Sequence, residues 1–262
     1  MALYLYPLAV AAGFAAGFIN TLAGSGSLIT LPLLIFMGLP ANVANGTNRV
    51  AILLQNLVAA GGFRRQQLMD WRGALLLGLP ATVGSLIGAQ IAVNLNAVVM
   101  QRTIGVLLII MLILVLVRPQ RWLEGKGTPF LGTPVWSWVL GFFLIGMYGG
   151  FIQVGVGIFL LAALVLGVGY NLVRANAVKV AIILFYIPFD LYIFWRNGQV
   201  EWLPGAVLGV GSMLGAWVAT RTAAHTGAVW LWRLLVVVVA LSAAQLLGAF
   251  DLLRHLVLLW LG

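Results

Sequence analysis

Long apolar stretches set the first limit on what this chain can fold into. One runs from about Leu5 to Ala23, and a short one from Leu28 to Met37. Others run from about Val43 to Phe63, from about Gly73 to Val93, and from the tight connection Asn94–Asn96 to near Val117. An apolar helix of roughly 20 residues crosses the hydrocarbon core of a bilayer. Hydrophobic residues make up 63% of the 262 and charged residues 7%, whereas a soluble domain is about a quarter charged. The chain is therefore an all-α polytopic membrane protein, one transmembrane domain over 1–262 with room for about eight spans and no soluble domain. Met1 to Pro7 carries no basic segment, so the apolar stretch after it reads as a membrane helix and not a cleaved signal. The net charge is +9, but the basic residues stand singly or in pairs at the ends of apolar runs, as membrane orientation requires. Nucleic acid is not an expected partner. The partners expected are the lipid bilayer and a small anion, with self-association left open. Cysteine is absent, which excludes disulfides and thiolate metal sites.

The second half of the chain repeats the first. Arg49-Val-Ala-Ile matches Lys179-Val-Ala-Ile, 130 positions on (179 − 49), and Asp70-Trp71 matches Glu201-Trp202, 131 on. Gly84-Ser85-Leu-Ile-Gly88-Ala89 matches Gly211-Ser212-Met-Leu-Gly215-Ala216, 127 on. Gly17-Phe-Ile-Asn20 and Gly24-Ser-Gly26 match Gly150-Phe-Ile-Gln153 and Gly155-Val-Gly157. The expected repeats are 1–120 and 134–250, joined by the polar loop 118–133. Tandem repeats of membrane segments build many secondary transporters, whose sites lie at the repeat interface near broken helices. The runs 28–37 and 158–168 are shorter than a normal span. They predict four spans per half and halves of parallel orientation, with short broken or re-entrant segments at the Gly-rich motifs. Counting Lys and Arg on the loops does not separate parallel from inverted halves.

Asn20-Thr21-Leu-Ala-Gly24-Ser25-Gly26-Ser27 interrupts an apolar run with small and polar residues. Irregular backbone at membrane depth persists only where it is buried in protein or lines a wet cavity, and a break exposes helix N-terminal N–H groups that favour anions. The next cluster, Asn42-Val-Ala-Asn45-Gly46-Thr47-Asn48-Arg49, opens a helix with polar residues and sets Arg49 about a turn inside. Its counterpart is Arg174-Ala-Asn176-Ala-Val-Lys179. A cation at mid-bilayer costs roughly 2.5–3.5 kcal/mol on insertion scales, so Arg49 and Lys179 either serve an anion or snorkel to the headgroups. Asp190 is the one acid deep in an apolar stretch. It reads as a proton-coupling carboxylate, as the partner of a buried cation, or as a helix-end residue near Arg196. Gln55 and Asn56 extend a polar pathway or bond between helices. Gly84 and Gly88 suit close helix packing, and Asp70-Trp71 and Glu201-Trp202 suit helix starts at a membrane interface. His225 and His255 share no motif with carboxylates, and no metal-ligand or P-loop spacing is present. No cofactor and no catalytic residue is expected, and the chain does not read as an enzyme.

The sequence Asn-Thr-x-Ala-Gly-Ser-Gly-Ser at 20–27, followed by Pro32 and by Ala-Asn-Gly-Thr-Asn-Arg at 44–49, resembles the sulfite exporter TauE/SafE family of membrane permeases. The resemblance covers essentially the whole chain. It implies a duplicated bundle of about eight spans in the bacterial inner membrane, and export of sulfite, an organosulfonate or a related sulfur-containing anion. Gly155-Val156-Gly157 lacks the serines of the first break, so a second matching anion site is not expected. The substrate set expected is Asn20, Thr21, Gly24, Ser25, Gly26, Ser27, Asn45, Thr47, Asn48 and Arg49, with Gln153 and Lys179 from the second half. Asp190 is the candidate for proton coupling. A passive anion channel and, behind it, a membrane-embedded enzyme are the rival readings.

Overall fold

A computed structural model of the protein describes residues 5–117 and 136–222. The polar loop 118–133, Arg233, Arg254, His225, His255 and the end of the second repeat lie outside them. Each described element is a helix: α1 (Leu5–Ala23), α2 (Ser27–Phe36), α3 (Ala41–Arg65), α4 (Trp71–Val93), α5 (Ala97–Val117), α6 (Trp136–Phe151), α7 (Val156–Ala162, continued by a π-helical stretch to Val168), α8 (Leu172–Arg196) and α9 (Trp202–Thr222). Among the described residues, α1, α4, α8 and α9 are long and apolar enough to cross a membrane. Helix α3 has 25 residues, as α8 does, or about 37 Å at 1.5 Å per residue. Its Asn45, Thr47, Asn48, Arg49, Gln55 and Asn56 lower its hydropathy, and they are buried.

Local chemistry places the ends. The Asp70 carboxylate accepts from the Gly73 N–H at 3.0 Å, and the Asn171 side chain accepts from the Arg174 N–H at 2.9 Å. Both are N-caps that satisfy a first-turn donor. The Tyr170 hydroxyl donates to the other Asp70 oxygen at 2.6 Å and ties the start of α8 to that of α4. Burial, reinforced by that bond, pushes the Tyr170 phenol above its ordinary range. The breaks after α1 and before α7 turn on Gly24 (φ 77°) and Gly155 (φ 70°), left-handed angles that a side chain disfavours. The broken segments meet at the centre, where Gly24 and Gly157 pack backbone to backbone.

Polarity runs opposite to that of a soluble protein. Asn45, Thr47, Asn48, Arg49, Gln55, Asn56, Lys179 and Asp190 are buried, while Leu75, Leu76, Leu79, Val83, Ile87 and Ile91 of α4 face outward. Lipid solvates such a surface, and polar groups are satisfied within the protein.

The helices pack through glycines. Gly13 and Gly17 of α1 lie on the backbone of Leu208 and Ser212 in α9, and Gly146 and Gly150 of α6 lie on Ala81 and Ser85 in α4. Gly84 and Gly88 pack on Phe143 and Met147 in the same seam, so their role is helix contact. The order of these contacts shows α1 parallel to α9 and α6 parallel to α4. Gly205 and Gly209 meet Thr47 and Ala51, so α9 is also parallel to α3. Helices α3 and α8 are antiparallel: Gly46 packs on Phe194, and Arg49 bonds Asp190.

This direction bears on the parallel-halves expectation. If α3 and α8 are counterparts, the halves are inverted. The physical reason is α2. Although it has only 10 residues, it turns the chain back between the parallel helices α1 and α3, as a full crossing would.

Candidate functional site

Helix α3 carries Asn45, Asn48, Arg49, Ile52, Gln55 and Asn56 on one stripe, at the 3–4 residue spacing of a single helical face. Asn48, Ile52 and Gln55 of that stripe face the break between α1 and α2. A small polar cavity lies there, lined by Ala16, Asn20, Gly26, Ser27, Thr30, Asn48, Ala51, Ile52, Gln55 and Ser212. Its free space is on the order of one water molecule.

A fixed hydrogen-bond chain organises the wall. The Gly26 N–H donates to Asn20 Oδ1 at 3.3 Å. That leaves the Asn20 amide nitrogen to donate to Gln55 Oε1 at 3.1 Å. Gln55 Nε2 is then left buried with no hydrogen-bond partner among the described residues. On the other wall Thr30 Oγ1 donates to Asn48 Oδ1 at 2.7 Å, and Asn48 Nδ2 donates to Ser27 Oγ at 3.3 Å. Gly26 is the N-cap of α2, and Gly26, Ser27 and Thr30 set the positive end of that helix against the cavity, with the Leu28 and Ile29 N–H groups bonded to the Ser25 and Gly26 carbonyls.

The two buried cations do other work. Arg49 is wholly buried and ion-paired with Asp190 Oδ2 at 2.8 Å. It also donates to the carbonyls of Gly149 and Gly150, and its guanidinium lies 4.4 Å from the centre of the Phe194 ring. Lys179, 1% exposed, donates to the carbonyls of Asn20 and Thr21 at 2.9 and 3.0 Å and to Asn176 Oδ1 at 2.7 Å. Each cation thus closes the C-terminal end of a helix from the other half, α6 for Arg49 and α1 for Lys179. Such ends carry unpaired carbonyls and partial negative charge. Neither side chain snorkels. Asp190 is buried beside Arg49, not exposed near Arg196, and Arg174 is exposed.

Of the residues singled out in the sequence, Asn20, Gly26, Ser27 and Asn48 line the cavity. Gly24 is the hinge, and Ser25 is buried beside it with Oγ unpaired. Thr21 bonds back to the Gly17 carbonyl at 2.8 Å. Asn45 donates to the Phe151 carbonyl at 2.9 Å, and Thr47 Oγ1 accepts from the Glu201 N–H at 2.9 Å. Gln153 donates to the Tyr186 hydroxyl at 3.2 Å and is not in the lining of the cavity. Thr30 and Ser212 were missed. Thr30 stands three residues after Ser27, on the same helical face, and Ser212 belongs to the repeated Gly-Ser motif. Both signals were present in the sequence.

A broken-helix bundle with a small buried polar cavity at its centre is the build of a membrane transporter. The chain belongs to the sulfite exporter TauE/SafE family, whose model matches residues 9–246. It is 29% identical over 268 residues to "Probable membrane transporter protein ORF9" of Sinorhizobium sp, covering 100% of this chain and 98% of that one. It is 30% identical over 248 residues to "Probable membrane transporter protein YfcA" of Escherichia coli K12, covering 94% and 90%. A third relative, a "Probable membrane transporter protein" of Haemophilus influenzae, is 26% identical over 234 residues, covering 89% and 91%. The protein is a membrane transporter of this family.

Proposed function

We propose that the protein is a secondary transporter that exports a small sulfur-containing anion, such as sulfite or an organosulfonate, across the bacterial inner membrane. The observation that carries this reading is the unpaired Gln55 amide beside the N-terminal end of α2, in a small cavity with a polar wall. Asn20, Ser27, Thr30 and Asn48 complete the site, with the backbone of Gly24 to Ser27 bringing the helix end to it. Arg49 and Lys179 hold the broken helices in place and keep the field there positive. Asp190 is the coupling carboxylate in this reading. A proton arriving there removes the counter-charge of Arg49, the neighbour of Asn48.

The same reading makes the chain a multi-pass protein of two inverted repeats, with about eight spans. Two features support it. Gly13 and Gly17 lie on Leu208 and Ser212 as Gly146 and Gly150 lie on Ala81 and Ser85, with the same spacing on both sides of the contact. Helices α3 and α8 are also equal in length, and the matched cations Arg49 and Lys179 stand at nearly the same depth from their starts, Ala41 and Leu172. The face carrying Arg64, Arg65, Arg72, Arg174 and Arg221 is then cytoplasmic, against Arg102 and Arg196 on the other.

Counterflow of radiolabelled sulfite into proteoliposomes tests the proposal. A saturable exchange, weakened at least tenfold in Gln55→Ala, is the expected result. Unsaturable conductance with no counterflow would instead make the protein a channel.

A further inference from the structure

We infer that the cavity selects anions that carry no proton to donate, and rejects sulfonates bearing an ammonium group. The inference rests on the site proposed above and names which ligands that site takes. It follows from the direction of the hydrogen bonds in the wall. A backbone N–H can only donate, so the Gly26 bond fixes Asn20 Oδ1 as an acceptor. Asn20 must then donate to Gln55 Oε1, and Gln55 is left with its NH₂ end unpaired. Asn48 Oδ1 is likewise occupied, by Thr30, while Asn48 Nδ2 occupies the Ser27 oxygen and leaves that hydroxyl its proton. Each side-chain amide oxygen lining the cavity already accepts a hydrogen bond, and the one lining amide group left with no partner is the donor Gln55 NH₂.

No carboxylate lines the cavity. Among the described residues the acids are Asp70, Asp190 and Glu201. Asp70 is bound by Tyr170 and Gly73, Asp190 is paired with Arg49, and Glu201 is exposed. An ammonium group entering this space meets the unpaired Gln55 NH₂ and the positive end of α2, with only hydroxyls and already bonded amide oxygens to receive its protons. Buried donors facing donors are left unpaired, and such mismatches are what give a polar site large discrimination. Gln55 is the residue that sets this polarity.

Isothermal titration of the detergent-solubilised full chain tests it, with ethanesulfonate and taurine as near-isosteric probes and sulfite as reference. The wild type should bind ethanesulfonate at least tenfold more tightly than taurine. Gln55→Glu keeps the oxygen that Asn20 needs and replaces the NH₂ by an acceptor. It should weaken sulfite at least tenfold and shrink the ethanesulfonate preference below threefold. Taurine binding to the wild type within twofold of ethanesulfonate overturns the inference while leaving the anion site standing. Unchanged sulfite binding in a Gln55→Glu protein that melts as the wild type does also overturns it. A wild type that binds neither ethanesulfonate nor sulfite removes the proposed site, and the inference with it.

Discussion

Asp190→Asn is nearly isosteric, yet it should be among the most damaging single changes in the protein. It leaves Arg49 wholly buried without its counter-charge. The guanidinium keeps the Gly149 and Gly150 carbonyls and the face of Phe194, which are dipoles and a ring and not a full negative charge. Removing one partner of a buried ion pair costs about 3–5 kcal/mol. At about 2–4 °C per kcal/mol for a chain of this size, the melting midpoint should fall by about 6–20 °C. Arg49→Gln leaves Asp190 buried without its counter-charge and two helix-end carbonyls with one amide, so it should also cost about 3–5 kcal/mol. The double variant should be more stable than the sum of the two losses predicts, by a coupling of about 0.5–3 kcal/mol. Heating detergent-solubilised protein and following the folded fraction by fluorescence-detected gel filtration measures all three. A midpoint for Asp190→Asn within about 2 °C of the wild type, with additive effects, would refute the reasoning and mean that water reaches the pair.

Lys179→Met should lower the midpoint by about 3–12 °C, because three oxygens lose a charged donor worth about 1.5–3 kcal/mol; the same thermal assay reads it. Gly150→Ala should abolish folded protein in that assay, since its methyl group would strike the Ser85 backbone. Gly61→Ala, where nothing lies within 4 Å, should instead stabilise by up to about 1 kcal/mol through helix propensity. Tyr170 gives a pH signature. Its folded pKa is raised by burial and then by Asp70. The stability it adds is therefore full below the unfolded phenol value near ~10 and is lost as pH rises past it. Tyr170→Phe should melt lower than the wild type at neutral pH and flatten the alkaline loss.

Much of this was legible in the sequence because membrane burial leaves coarse marks. The stretch 5–23 became α1 at those bounds, and Asp70-Trp71 became a capped helix start, since apolar length and capping chemistry are local. Asn20, Gly26, Ser27 and Asn48 came together at the cavity because polar residues packed densely at a break have few other uses in a bilayer. The roles of Arg49 and Lys179 were not legible. Their partners are the carbonyls of Gly149, Gly150, Asn20 and Thr21, and backbone groups leave no trace in residue type. The Arg49–Asp190 pair joins distant parts of the chain, and 49 and 190 meet only because α3 and α8 are antiparallel. That direction turns on α2, which looks too short to reverse a chain across a membrane until the parallel course of α1 and α3 is seen.

The central claim is that the anion sits at the N-terminal end of α2, against Gln55. Selenite, a heavier analogue of sulfite, can be located by its anomalous scattering in crystals of the protein. The account predicts a peak within hydrogen-bonding distance of Gln55 Nε2 and Ser27. A peak beside Arg49 with Asp190 displaced, and none in the cavity, would contradict it.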